Sequence, residues 1–181
     1  MITLPNSNTT DVLTTSQLKY LASKLPCPEA NIGGPSYSNL ELLPGILKVL
    51  RSGCRWRDLD HKKLPSGVTH WRRLRLWNKQ FGLKDTWDLI LSKLKEINKL
   101  DLRIALIDGS LVPSFNFCDT TGYSGKYKKT GTKISTLVDF KGTPLNVCFA
   151  SGERHDMPLA IPTILNNPLG KPNMILADKG Y

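Results

Sequence analysis

Apolar residues recur at three- and four-residue intervals through the first hundred positions, then collect into short runs divided by turns. The first pattern predicts amphipathic helices and the second predicts strands. Residues 14–25 (TTSQLKYLASKL) offer Thr and Ser as N-caps and Leu18, Leu21 and Leu25 as a packing stripe. Pro26, Pro28, Gly33, Gly34 and Pro35 then break the chain into a loop. From 38 to 52, Leu40, Leu43, Leu47 and Leu50 share a helical face. Pro44 should kink that helix or move its start, and Gly53 is placed to end it. The stretch SGVTHWRRLRLWNKQFG at 66–82 predicts a helix with Trp71, Leu74, Trp77 and Phe81 on the packing face. Arg72, Arg75 and Lys79 fall on another face, with Arg73 beside them. A last helix over 85–98 should bury Trp87, Ile90, Leu91, Leu94 and Ile97. The expectation is a helical region over residues 1–99.

A different order follows over residues 100–181. LRIALI at 102–107 is a strand ending at Asp108-Gly109-Ser110, and a polar loop covers about 113–131. KISTLVDF at 133–140 and PLNVCFA at 144–150 are strands joined by a Lys141-Gly142-Thr143 hairpin turn. Asp156 is placed to cap a helix with Pro158 in its first turn, running to about Leu165. Asn166, Asn167, Pro168 and Gly170 break it, and 173–177 is the last strand. This β-β-β-α-β order is how an RNase H-like α/β fold begins. Three antiparallel neighbours come first, and the helix then returns the chain parallel to the first strand.

Charge changes what the helices suggest. The net charge is +10, and residues 1–100 hold 16 Lys+Arg against 8 Asp+Glu, whereas 101–181 hold 9 against 7. A field concentrated in this way favours a polyanion, nucleic acid or an anionic membrane surface, and a solvated basic face is the alternative. A basic amphipathic helix after a helix and a turn fits a helix-turn-helix-like DNA-binding region. The four cysteines (Cys27, Cys54, Cys118, Cys148) and three histidines (His61, His70, His155) are too scattered for a zinc site, and free, mostly buried thiols are expected. The start MITLPNSNTT lacks the pattern of a secretory signal, and no apolar run approaches membrane-spanning length.

The predicted sheet carries candidate chemistry. Asp108 and Asp178 each follow an apolar strand, and if those strands are parallel neighbours the two carboxylates meet at one edge. Carboxylates so placed repel unless a proton or cation is shared, and Mg²⁺ favours such oxygen ligands. Each Asp taken singly also reads as an ordinary turn residue, and His155 beside a helix start reads as structural.

Four blocks in this order resemble the DDE transposases of bacterial insertion sequences, of the insertion-sequence-five type: LPGILKVLRSGCRWRDL at 43–59, ALIDGSLV at 105–112, GTKISTLVDFKGTPLNVCFASGERHD at 131–156 and ILADKGY at 175–181. The resemblance implies Mg²⁺- (or Mn²⁺-) dependent cleavage of DNA and strand transfer. Asp108 and Asp178 would be the catalytic metal ligands. Its implied partner is duplex DNA at the terminal inverted repeats, with Arg72, Arg73, Arg75 and Lys79 as contacts; by charge and position alone, Lys126, Lys128, Lys129 and Lys133 are expected to hold backbone near the metal. It further implies a homo-oligomer when active, in the bacterial cytoplasm and nucleoid.

The family's third carboxylate, a Glu in a Tyr/Arg/Glu/Lys signature, follows well downstream. The four glutamates here (Glu29, Glu41, Glu96, Glu153) all precede Asp178. The RNase H-like domain is therefore expected to be incomplete, to bind metal weakly and to leave apolar sheet surface uncovered. Three readings stay open: a transposase part completed by the product of a downstream frame, an inactive DNA-binding repressor of transposition, and a decayed fragment.

Overall fold

Reciprocal capping opens the first two helices. Thr14 and Gln17 form a capping box at α1 (Thr15–Lys24), and Ser38 and Glu41 form one at α2 (Asn39–Ser52). Gly53, in the left-handed region at φ 68°, ends α2 as its sequence predicts. The helix runs through Pro44 from a start five residues earlier. A computed structural model describes residues 13–28, 37–60, 65–80, 82–114 and 120–178. Within these the chain is α/β, with five α-helices and a five-stranded mixed sheet. It divides into two compact units, Met1–Trp87 and Asp88–Tyr181.

In the first unit, Leu25, Leu42, Leu43, Ile46 and Trp77 form the buried core. The stripe that α2 buries is Leu42, Leu43, Ile46 and Val49, and Leu40 and Leu50 stay exposed. Both stripes are apolar at helical spacing. A close approach accompanies the one chosen, since a Cβ on Gly45 would collide with the buried ring of His70. Between α2 and α3 (Gly67–Lys79) lies a 14-residue connection carrying a 3₁₀ turn, Trp56–Leu59. That is longer than the three- or four-residue turn of a helix-turn-helix. The packing face of α3 is also rotated from the expected one: Gly67, His70, Arg73 and Trp77 are buried, whereas Trp71 is exposed. Phe81 lies outside the described residues. α4 (Gly82–Glu96) buries Thr86 and Leu91, but Trp87 and Ile97 are exposed.

The second unit is built on β1 (Ile104–Pro113), β2 (Gly122–Ser124), β3 (Lys129–Asp139), β4 (Pro144–Ser151), α5 (Met157–Leu165) and β5 (Met174–Ala177). β1 pairs antiparallel with β3, β3 antiparallel with β4, and β5 parallel with β1, the neighbours that the element order predicts. β2 pairs antiparallel with β3, so part of the expected polar loop is a strand. One sheet face is covered: Ala105, Ile107, Leu137 and Leu145 pack with Leu91, Ala160 and Ile164. On the opposite face Leu106, Val147, Phe149, Met174 and Leu176 remain exposed. The β3–β4 turn is held by Asp139, a fully buried carboxylate that accepts from the backbone N–H of Asp101, Lys141 and Thr143. Asp156 occupies the N-cap position of α5 without capping it; its carboxylate is committed to Lys133 instead. Three thiols differ from expectation as well, because Cys27 is exposed and Cys54 and Cys148 are half-buried; Cys118 lies outside the described residues.

Candidate functional site

The parallel register of β1 and β5 runs from Ile104↔Met174 to Ile107↔Ala177. The next residue on each strand is an aspartate, Asp108 and Asp178, both exposed. Neighbouring strands lie about 4.8 Å apart, so the two carboxylates leave adjacent backbones side by side. β1 does not end there, as the sequence suggested; it continues to Pro113 along β3. Among the described residues the pairing with β5 runs as far as Ile107. Side chains alternate across a strand, so Asp108 shares the uncovered face with Leu106 and opposes Thr136 on β3. The N–H of Gly109 donates to Asp108 Oδ1 at 2.8 Å, which orients the carboxylate. Two exposed carboxylates on one face, beside a threonine hydroxyl, form a donor set suited to a hard divalent cation. Among the described residues no cluster of three or more His, Cys, Asp or Glu side chains is suited to a metal.

The basic helix α3 divides its cations between two jobs. Arg72, Arg75 and Lys79 are exposed. The Arg75 guanidinium lies 4.9 Å from the ring centroid of Trp71, stacked on an indole that the sequence assigned to the core. Together with Leu50, Leu76 and Leu83 these residues line a shallow groove on the unit's surface. Arg73 is turned inward, only 7% exposed. Its guanidinium donates to Asn39 Oδ1 and, at 2.8 Å, to Tyr37 O. Asn39 Nδ2 in turn donates to Leu25 O at 2.7 Å, so Arg73 closes a buried polar network between helices.

The lysines of the second unit divide in the same way. Lys126, Lys128 and Lys129 are exposed at the turn between β2 and β3. Lys133 is 5% exposed, and its Nζ pairs with Asp156 Oδ1 at 3.0 Å on the covered face, away from Asp108. It is thus a structural cation, and so is Arg73. Neither reaches the surface where the sequence reading put it. Tyr123 and Tyr127, both exposed, alternate with Lys126, Lys128 and Lys129 in YSGKYKK. His155 is exposed and takes part in neither cluster.

Among the described residues no helix is long and apolar enough to cross a membrane. Residues 13–91 match the family described as "Putative transposase of IS4/5 family (DUF4096)", and residues 99–181 match that described as "Transposase DDE domain". An "Insertion element IS402 uncharacterized 16.2 kDa protein" of Burkholderia cepacia is 41% identical over 88 residues, which is 48% of this chain and 60% of that relative. The chain therefore spans less than two thirds of the length of the curated relative it matches. No solved structure matches it. Along the chain, a match to a transposase family of insertion elements is thus followed by a match to a DDE transposase domain.

Proposed function

We propose that the first unit binds the terminal inverted repeats of an insertion element and that the second carries two of the carboxylates used to cut and join that DNA. The observation that carries this reading is the register of β1 and β5, which sets Asp108 and Asp178 side by side on one face. Both would be metal ligands in an RNase H-like domain. Mg²⁺ or Mn²⁺ held there supplies the Lewis-acid activation of phosphodiester and water oxygens on which in-line displacement depends. The chain's own part is positional. Gly109 N–H fixes the Asp108 carboxylate, the exposed sheet face around it admits a phosphate, and exposed cations hold the backbone. In the first unit α3 acts as the helix that meets DNA, with Arg72, Arg75 and Lys79 toward it. Lys126, Lys128 and Lys129 serve the second unit.

Because a two-metal displacement uses bridging acids around both ions, the Asp108–Asp178 pair is read as part of a site. A third carboxylate would complete it. The second reading, a DNA-binding product that restrains transposition, is favoured by the separation of the exposed α3 face from any catalytic group in its own unit. The test is binding of the chain to a duplex carrying the element's terminal repeat against a scrambled duplex, over a range of KCl. Specific, salt-sensitive binding that weakens in Arg72→Ala and Arg75→Ala, without Mg²⁺-dependent nicking, is expected. Nicking by this chain alone that disappears in Asp108→Ala would overturn the view that the site is partial.

A further inference from the structure

We propose that the β2–β3 hairpin is an arm that grips the duplex backbone about seven base pairs from the phosphate at Asp108 and Asp178, an inference that rests on the reading above and adds a place and a spacing to it. Residues 120–138 contain four lysines and no Asp or Glu. One of the four, Lys133, is turned under the sheet and paired with Asp156. The other three, Lys126, Lys128 and Lys129, stand exposed at the hairpin tip. None of the three has a carboxylate partner among the described residues. Tyr127 is exposed beside them, with Lys126 Nζ 5.4 Å from its ring centroid, and Tyr123 is 58% exposed on β2. Uncompensated cations interleaved with exposed tyrosines form a surface for a phosphate backbone.

The hairpin is rooted firmly enough to set a distance. A side chain on Gly131 would collide with Val112 O, and one on Gly152 with the carbonyls of Gly122 and Gly131. Four stretches of backbone therefore close at the base of the arm, knit by Gly152 N–H to Gly131 O at 3.1 Å and Ser114 N–H to Thr130 O at 3.1 Å. Orientation follows from register. Thr136 opposes Asp108, and Thr130, six residues away on the same strand, opposes Tyr123. Even steps keep side chains on one face, so Tyr123 lies on the face that carries the two aspartates. Ser110, Thr132 and Thr130 furnish hydroxyls along the way. From Thr136 to Lys129 the strand advances seven residues, roughly 24 Å at about 3.4 Å each. Duplex DNA rises about 3.4 Å per base pair, which gives the spacing of seven.

The experiment uses the full chain and a 40-base-pair duplex bearing the element's terminal repeat. Binding is followed from about 50 to 300 mM KCl for the wild type, for K126Q/K128Q/K129Q and for R72Q/R75Q/K79Q. Three lost phosphate contacts should lower the slope of log K against log[KCl] by about 2–3, and K126R/K128R/K129R should keep the wild-type slope. Photocross-linking residues at positions 127 and 110 should mark the duplex about five to nine base pairs apart. If the hairpin variant keeps the full slope while the helix variant loses its own, the arm is refuted and the DNA-binding function stands. If the wild type shows no salt-sensitive binding, both fall. Marks less than about four base pairs apart, or displacement of the duplex by single strands through the hairpin tyrosines, would also overturn the arm. Far-ultraviolet circular dichroism of each variant checks that the fold is kept; a hairpin variant that loses it contradicts the exposure on which the arm is built.

Discussion

Two adjacent arginines, Arg72 and Arg73, should behave as opposites. In Arg73→Ala, the Oδ1 of Asn39 and the carbonyl of Tyr37 lose their guanidinium donor inside a packed helical unit. Each buried acceptor left without a partner costs about 1–3 kcal/mol, and hydrogen bonds from charged groups lie toward the upper end. Asn39 holds Leu25 O with its amide, so the loss also loosens α1 against α2. A fall in stability of about 3 kcal/mol follows, with some of the full penalty relieved by water entering the space. Arg72→Ala removes an exposed side chain and should change stability by no more than about 0.5 kcal/mol. The assay is built into the sequence, because all four tryptophans (Trp56, Trp71, Trp77, Trp87) lie in the unit Met1–Trp87. Tryptophan fluorescence in urea or on heating therefore reports chiefly this unit, most directly through buried Trp77. For a unit of this size 3 kcal/mol corresponds to a melting temperature lower by roughly 12 °C or more. The same two proteins should invert in a DNA-binding assay run below both melting temperatures, in which Arg72→Ala weakens affinity and Arg73→Ala does not. An Arg73→Ala protein as stable as the wild type, or an Arg72→Ala protein as unstable as Arg73→Ala, would refute the assignment.

Other substitutions test other parts of the structure. Lys133→Met strips the partner from half-buried Asp156 and should destabilise the sheet unit by about 2–4 kcal/mol while leaving the KCl dependence of DNA binding unchanged; hydrogen exchange at β3 and α5 reads the first effect. Gly45→Ala drives a methyl group into the His70 ring and should cost about 1–3 kcal/mol by overpacking, read by the tryptophan melt. The Asp101 carboxyl is lowered to about 2 chiefly by its side-chain hydrogen bond with Arg103. A depressed pKa in the folded state makes the contribution to stability present above the ordinary carboxylate pKa and lost as pH falls toward 2. Carbon-detected titration should place the Asp101 midpoint near that value and move it upward in Arg103→Met; an unmoved midpoint would contradict the cause.

Much of the architecture could be read from sequence because local signals and tertiary demands agree. The capping residue Thr14, the stop at Gly53 and the Lys141-Gly142-Thr143 turn act within a few residues of themselves, and the structure keeps each one. The β-β-β-α-β order likewise leaves few ways to pair the strands, and β5 lies parallel to β1. Which of two apolar faces a helix buries is a different kind of question. On α2 and α3 more than one stripe has helical spacing, and the choice is made by residues far along the chain, such as His70 against Gly45 and Arg73 against Asn39. For that reason Trp71 faces outward although it looked like core, and Arg73 is buried although it looked like a DNA contact. Charge patterning reports the number of cations and not which of them has a buried partner. Lys133, paired with Asp156 from 23 residues away, is a case of the same ambiguity. Asp139 escaped notice because its work, accepting three backbone N–H groups, depends on a turn that only the folded hairpin makes.

The pairing of Asp108 with Asp178 is the point on which the account turns, and a metal titration tests it without requiring turnover. Mn²⁺ added to the full chain and followed by electron paramagnetic resonance should show saturable binding at one exposed site. Asp108→Asn and Asp178→Asn should each weaken that binding by about tenfold or more, as loss of a ligand does, while Asp101→Asn and Asp156→Asn leave it unchanged. Equal Mn²⁺ affinity in the wild type, Asp108→Asn and Asp178→Asn would contradict the claim that these two aspartates form one metal centre.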